Sequence, residues 1–283
     1  MTVLGPVLID GAAVDPDEAM VSVFDIGLLR GYGCFETVRS YAGRPFRLDW
    51  HLDRLEASAA IMGIPLPDRA ILGSWIRDRA AEGDCSVRVV VTGGTDATRP
   101  GVGSRVIVTA DSLGHIAAEM RLQPRPAPWH ADGAPSELTG AKTLSYGPNL
   151  AARLAAVADG FDDALLIGES GSVLEGPTYS IGWVREGRLE YPGPELMVLP
   201  GVTVATVSEV APRVGLEPAP GRYDLDRLLG ADEVVAMSTL REVRPVVAVG
   251  ARRLTAGPFA GRLSAEFLEL VEDELSGRGA DTR

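Results

Sequence analysis

Two residues in the stretch KTLSYGPNLAARLAAVADGFDDALLIGESGSVLE, Lys142 at its start and Glu175 at its end, have the types that covalent chemistry needs. A lysine amine condenses with an aldehyde cofactor to form a Schiff base. Pyridoxal phosphate, an aldehyde built on a pyridine ring, needs an acid on its ring nitrogen. The carboxylate keeps the ring protonated, so that it can take up electrons from the substrate carbon. A solvated lysine and a solvated glutamate are the other reading. In a chain with 27 Lys and Arg and 39 Asp and Glu, the pair alone does not choose between them.

The elements around the pair must bring it together. Lys142 follows a loop, Leu138-Thr139-Gly140, and precedes a helix predicted over about Pro148 to Asp159. Leu150, Leu154 and Val157 recur at helical spacing, which predicts an inward face, and Gly160 is the stop. Asp163 to Gly168 reads as a short apolar strand, Glu169–Ser172 as its turn, and Val173-Leu174 as the returning strand. The helix separates the lysine from the hairpin, and the hairpin can return Glu175 towards it.

These features, with EGPTYSIGWV after them, resemble the class IV (fold type IV) aminotransferases that use pyridoxal phosphate. That family holds branched-chain aminotransferases, D-amino-acid aminotransferases, (R)-amine transaminases and aminodeoxychorismate lyases. The resemblance extends over nearly the whole chain. It implies an α+β fold of two domains: a small N-terminal domain over 1–120, a Pro-rich linker at 121–128, and a larger pseudo-barrel domain over 129–283 that carries the lysine. It also implies a cofactor lying between the domains, and a homodimer in which a loop of one subunit borders the other's pocket.

Composition limits what else the chain could be. With 283 residues, 46% hydrophobic and 23% charged, it can bury a full core. A net charge of −12 and the lack of a basic patch argue against a nucleic-acid role. No stretch is apolar for long enough to span a bilayer, and the N-terminus lacks the basic and apolar segments of a signal peptide. Cys34 and Cys85 are far apart and three histidines are scattered, so no metal site is expected, and a reducing cytoplasm is the simplest setting.

Taken in order, Val7–Ile9 and Ala12–Val14 read as a hairpin about Asp10-Gly11, and Val21–Val23 as the start of a strand. Asp25 to Gly33 reads as a Gly-rich loop and Cys34–Arg39 as a strand. FDIGLLRGYGCFETVR resembles the family's opening motif, whose loop borders the substrate pocket; this makes Tyr32 and Arg30 substrate candidates. Trp50 to Met62 is a predicted helix, and its HLDRLEASA resembles the segment whose arginine holds the cofactor phosphate, here Arg54. The planar fork of arginine suits phosphate oxygens. His51 reads as structural. A second helix spans Ile71 to near Gly83, followed by buried strands at Val87–Thr92 and Val106–Ala110. The D-amino-acid branch has an arginine in its V-T-R-G motif where this chain has Gly93. Arg30, Arg88, Arg99 and Arg241 are then the candidates for a substrate carboxylate.

In the second half, Pro124, Pro126 and Pro128 mark the expected linker. Tyr146, four residues after the lysine, resembles the tyrosine that meets the ring hydroxyl of the cofactor. Tyr179–Val184 reads as a strand, and Ser180 stands where the family has Asn in E-G-x-x-x-N. LPGVT precedes a helix running to about Ala211, and the resemblance places Val202 and Thr203 at the phosphate, where free N–H groups and the helix dipole favour an anion. Asp232–Met237 is a predicted strand. After it the resemblance assigns Thr239 to the phosphate, and Thr239 and Leu240 to the substrate carboxylate. A terminal hairpin (Val246–Val249, Arg252–Leu254), a helix (Phe259–Leu275) and an unstructured tail (Ser276–Arg283) complete the chain.

Three functions fit. One is a transaminase moving an amino group between an amino acid or primary amine and a 2-oxo acid. Another is a lyase releasing pyruvate and 4-aminobenzoate from aminodeoxychorismate. The third is a non-catalytic protein of the same fold, whose signature would be loss of the lysine; Lys142 and Glu175 are both present.

Overall fold

The computed structural model describes residues 2–277, so most of the expected tail lies outside the described residues. The chain forms two compact units. The first holds the residues up to Ile116 together with Gly140–Tyr146; the second holds Ala117–Thr139 and the residues from Gly147 onward. This differs from the expected 1–120, 121–128 and 129–283 in two ways. Residues 121–128 are not a linker, because most of them form a strand of the second unit. Lys142 belongs to the first unit, because its segment is hydrogen-bonded there.

In the first unit β1 (Val7–Ile9), β2 (Ala12–Val14), β3 (Gly33–Tyr41), β4 (Arg44–Pro45), β5 (Cys85–Thr92) and β6 (Val106–Ser112) form one antiparallel sheet in the order β2-β1-β6-β5-β3-β4. The turn between β1 and β2 is made by Asp10 (φ 51) and Gly11 (φ 84). Positive φ at both central residues is what a two-residue hairpin demands. A five-residue helix, α1 (Ile26–Arg30), stands where a loop was expected, and Val21–Val23 form no strand. Asp25 caps α1 by accepting from Gly27 N (2.7 Å), and Gly31 ends it at φ 65. Two longer helices, α2 (Leu48–Ile61) and α3 (Arg69–Ala80), lie on one face of the sheet. Cys34, Val38, Val87, Val89 and Val91 point to that face and are buried, as are Leu52, Leu55, Leu72 and Ile76 of the helices. Strand residues alternate between faces, so Phe35, Thr37, Arg88 and Val90 point the other way and stay half-buried.

The second unit is built on an eight-stranded mixed sheet: β7 (Met120–Pro126), β8 (Asp163–Ile167), β9 (Ser180–Arg185), β10 (Arg188–Pro192), β11 (Glu217–Gly221), β12 (Glu233–Ser238), β13 (Glu242–Val249) and β14 (Arg252–Arg253). Its order is β11-β10-β9-β12-β13-β7-β8, with β14 beside β13. Residues 172–175 connect the two edges. Leu174 N donates to Leu166 O (3.0 Å) and Leu166 N to Glu175 O (2.9 Å) on one side, and Val173 N donates to Tyr223 O (2.8 Å) on the other. The predicted hairpin therefore forms, and its return segment closes the pseudo-barrel. Trp183, Tyr179, Ile181, Leu122, Leu165 and Leu228 fill the interior. The helices are α4 (Gly147–Ala158), α5 (Val202–Val210), α6 (Leu225–Leu229) and α7 (Pro258–Ser276). α7 buries Leu263, Phe267, Leu270 and Val271, as its periodicity predicts. α4 does not follow its prediction: Ala152 and Ala156 face inward, against Ala164 and Leu166, and Leu150, Leu154 and Val157 are exposed. No described helix is long and apolar enough to cross a membrane.

Candidate active site

Lys142 is positioned by backbone pairing. β4 covers β3 only at Ser40 and Tyr41, which leaves the edge at Gly33–Phe35 open. Residues 142–144 fill it: Phe35 N donates to Lys142 O (3.0 Å) and Leu144 N to Gly33 O (2.8 Å). Lys142 N donates to Ser58 Oγ (3.0 Å), and Ser58 Oγ donates to Arg54 O (2.8 Å). The fully buried Ser58 thus ties the lysine segment to the turn of α2 that carries Arg54. Lys142 Nζ donates to Tyr146 Oη (3.2 Å) and lies 4.4 Å from the centre of the Phe35 ring. The phenol orients the amine, which lies over the face of the Phe35 ring.

Arg54 reaches Glu36 with a two-pronged contact: Nε donates to Oε1 (2.7 Å) and Nη2 to Oε2 (2.9 Å). Glu36 is 1% exposed. Burial alone would raise its pKa, but the Arg54 charge and the hydrogen bonds from His51 and Arg54 outweigh it, and the carboxyl is lowered to about 2. Glu36 is therefore ionised, and His51 Nδ1 donates to its Oε2 (2.8 Å). Burial lowers the pKa of His51 against the pull of Glu36. The ring is a neutral structural donor, as the sequence led us to expect. Next to Glu36 on β3, burial and that carboxylate raise the Cys34 thiol to about 12, so it stays protonated.

Of the four arginines that could meet a carboxylate, three are otherwise placed. Arg30 is exposed at the end of α1. Arg99 is held by Asp96 (2.7 Å), and Arg241 by Asp163 (3.0 Å) and Thr178 (2.9 Å). The side chain of Arg88 makes no hydrogen bond or ion pair among the described residues and is half-buried on β5, opposite Thr37. Strand alternation puts it on the sheet face that carries Phe35, the ring under Lys142 Nζ. Tyr32 donates from Oη to Met62 O (3.0 Å), and its neighbour Gly31 O accepts from Ser145 Oγ (3.0 Å).

In the second unit, Ser180 brings two further elements to one end of the sheet. It pairs with Met237 at the end of β12, just before the turn holding Thr239 and Leu240. A Cβ built on Gly201 would lie only 2.7 Å from Ser180 Oγ, so Ser180 also packs against the start of α5. Gly201 leaves the N-terminus of α5 with no side-chain cap, and Val202 and Thr203 follow it in buried positions. Uncapped N–H groups at a helix start are an anion site in form. Glu175 precedes β9 and accepts from His130 Nε2 (3.1 Å).

The sequence did not single out Phe35, Glu36, Ser58 or His130 as site residues. Ser58 carried a signal, since it stands one helical turn after Arg54 on α2. His130 carried none, because its loop matches no local motif. Taken unit by unit, these groups can do four things. An amine next to a phenol can attack a carbonyl and carry a proton. A fixed guanidinium in the first unit can hold a phosphate oxygen, and so can an open helix start in the second. A carboxylate can hold a proton on a ring nitrogen, and a half-buried arginine without a counter-charge can hold a carboxylate.

Known proteins carry the same arrangement of chain. An aminodeoxychorismate lyase of Bacillus subtilis is 29% identical over 95% of this chain and 94% of that protein. A structure of the branched-chain aminotransferase of the archaeon Thermoproteus uzoniensis, with norvaline, superposes with a TM-score of 0.84 at 28% identity, over 94% of each chain. A fold IV transaminase from Curtobacterium pusillum superposes with a TM-score of 0.86 at 27% identity, over 93% of this chain and 92% of the other. The family described as amino-transferase class IV matches residues 33–249. That match spans most of the chain, both units included, and the chain belongs to the class IV aminotransferases.

Proposed function

We propose that this chain is a pyridoxal-phosphate-dependent transaminase that moves an amino group between an amino acid and a 2-oxo acid. The observation that carries this reading is the coupling of Lys142 to Arg54: one buried hydroxyl, Ser58, bonds the lysine's backbone and the arginine's carbonyl. An amine and a phosphate-binding fork fixed to each other fit a compound with an aldehyde at one position and a phosphate at another. When bound, pyridoxal phosphate supplies that aldehyde and a ring that accepts electrons from the substrate carbon.

The residues then divide the work. Lys142 would hold the aldehyde of pyridoxal phosphate through its amine and, when free, would carry a proton to and from the substrate carbon. Tyr146 holds the amine and meets the ring hydroxyl. Arg54, the α5 start at Val202 and Thr203, and Thr239 hold the phosphate. Glu175 holds the proton on the ring nitrogen. Arg88 takes a substrate carboxylate, aided by the backbone at Thr239 and Leu240, with Tyr32 and Arg30 at the pocket edge. The working form is a homodimer.

A lyase acting on aminodeoxychorismate is the second reading, favoured by the Bacillus subtilis relative. The test uses purified protein loaded with pyridoxal phosphate, mixed in turn with D-alanine, L-leucine, L-glutamate and (R)-1-phenylethylamine. Conversion of the visible absorbance to that of the aminated cofactor by one donor supports the transaminase and names its stereochemistry. An unchanged spectrum with all four, together with release of 4-aminobenzoate from aminodeoxychorismate, moves the assignment to the lyase. Lys142→Ala is expected to lose the visible absorbance and turnover; retention of both would remove Lys142 from its role.

A further inference from the structure

We infer that His130 is the positioning residue for Glu175, fixing which carboxylate oxygen faces the cofactor's ring nitrogen. This rests on the reading of Glu175 given above and adds a residue to it. The two side chains are 12% and 15% exposed, and His130 Nε2 stands 3.1 Å from Glu175 Oε1. An ionised carboxylate only accepts, so Nε2 carries the proton in that bond. Glu175 Oε2 makes no hydrogen bond among the described residues. One oxygen is thus occupied and the other is left as the acceptor for a ring N–H.

The histidine is itself held from several directions. Its backbone N donates to Ala127 O (3.0 Å), and Ala127 N donates to Ile167 O (2.8 Å) at the end of β8. On its N-terminal side Trp129 Nε1 donates to Asn149 Oδ1 (2.9 Å), and Asn149 Nδ2 donates to Pro177 O (3.3 Å), two residues past Glu175. On its C-terminal side Asp132 accepts from Ser170 N (2.8 Å) and Ser170 Oγ (3.0 Å) in the turn of the hairpin that carries Glu175. The loop of His130 and the hairpin of Glu175 are therefore clamped to each other at three points besides the bond itself. His130 Nδ1 is buried without a hydrogen-bond partner. A purely structural histidine gains from satisfying both nitrogens; here only the one aimed at Glu175 is engaged.

A carboxylate with one oxygen pinned has one orientation to offer. Released, it can rotate and share its proton-holding oxygen with solvent, and the ring nitrogen loses a fixed partner. The experiment is nitrogen NMR of the holoenzyme loaded with pyridoxal phosphate labelled with 15N in the ring, read together with the cofactor's dissociation constant. Wild type is expected to give the signal of a protonated pyridinium. His130→Ala is expected to move that signal towards neutral pyridine and to weaken cofactor binding by roughly tenfold, the low end of losing a hydrogen bond to a charged group. His130→Gln places an amide N–H at the position of Nε2 and is expected to restore both, which separates the bond from the fold of the loop. A wild-type ring signal and affinity in His130→Ala would overturn the inference, and so would failure of His130→Gln to restore them in a folded protein. Glu175→Gln is the control for the underlying reading: if it leaves the pyridinium signal intact, the role of Glu175 fails first and that of His130 with it.

Discussion

At the scale of single residues, the site depends on charges kept in apolar surroundings by specific partners. Glu36 is the clearest case. Its pKa is lowered to about 2 in the folded protein from an ordinary value of 4.5. The folded value lies below the unfolded one, so the stabilisation is complete above about pH 4.5 and is lost as pH falls towards 2. The shift corresponds to about 3 kcal/mol. Unfolding free energy measured by urea titration is expected to decline through that window. Glu36→Gln is expected to lower stability by a similar amount at pH 7, because the two-pronged bond of Arg54 to a charged carboxylate is lost. The gap to wild type should narrow on acidification; a gap of constant size from pH 7 to 2 would show that the Glu36 charge is not what matters. Arg88 supports a prediction about selectivity. An arginine with no internal counter-charge that binds a substrate carboxylate makes a charged hydrogen bond worth about 1.5–3 kcal/mol. Arg88→Leu is then expected to reduce kcat/KM for amino acids by roughly 10- to 100-fold. It should leave the half-reaction of (R)-1-phenylethylamine, if that amine is accepted, close to wild type. Equal losses for both donors would mean that Arg88 supports the fold of the pocket instead.

At the scale of elements, function depends on where helices and strands begin. The start of α5 is open because Gly201 has no side chain and Ser180 occupies the adjoining space. Gly201→Ala would force a methyl to within 2.7 Å of Ser180 Oγ and 3.1 Å of Val204 Cγ1. Overpacking of this kind costs about 1–3 kcal/mol, so the melting temperature should fall and cofactor affinity with it. Adding Ser180→Gly is expected to recover most of both. No recovery in the double variant would place the fault in the helix start itself. These elements were legible to different degrees, for physical reasons. Phe259–Leu275 and Trp50–Met62 came within one or two residues of α7 and α2, since their periodicity is local and strong. α1 was hidden, because five residues with a glycine carry no periodicity; it exists because Asp25 caps it, and Asp25 is itself fixed by Thr92 Oγ1 (2.6 Å) from a distant strand. β7 was misread as a linker on account of its prolines. Ala127 N donates to β8, so by alternation Pro124 and Pro126 lie on the opposite edge, where β13 pairs only with Met120–Leu122. The missing N–H groups cost the ladder nothing there. Lys142, Arg54 and Tyr146 were readable as motif residues, but Ser58 and Glu36, which hold them, become visible only once β3 and α2 are packed.

At the scale of the whole molecule, the chain leaves the first unit, starts the second, returns for Gly140–Tyr146 and leaves again. The lysine is thus supplied by a short excursion of the chain and owes its place to a few backbone hydrogen bonds. The larger question at this scale is what covers the apolar surface. Leu150 (52% exposed), Leu154 (59%) and Val157 (48%) make a stripe on α4. Within the first unit, Phe24 (71%), Leu28 (66%) and Leu29 (61%) are open on and beside α1. The prediction from sequence turned the α4 stripe inward; α4 is apolar on two faces, and only the small alanines fit close against β8. A periodic apolar stripe left on a surface marks a contact with another molecule, and the homodimer proposed above supplies one. Sedimentation equilibrium of the holoenzyme at micromolar concentration is expected to give twice the chain mass of 29.9 kDa. Leu154→Lys and Leu28→Lys, made separately, each put a charge into one of the two surfaces. The variant whose surface lies in the interface should shift towards the monomer, while the other keeps the wild-type mass. A monomer in the wild type would sink the dimer. A dimer that withstands both substitutions would leave these residues outside its interface and move it to another face of the chain.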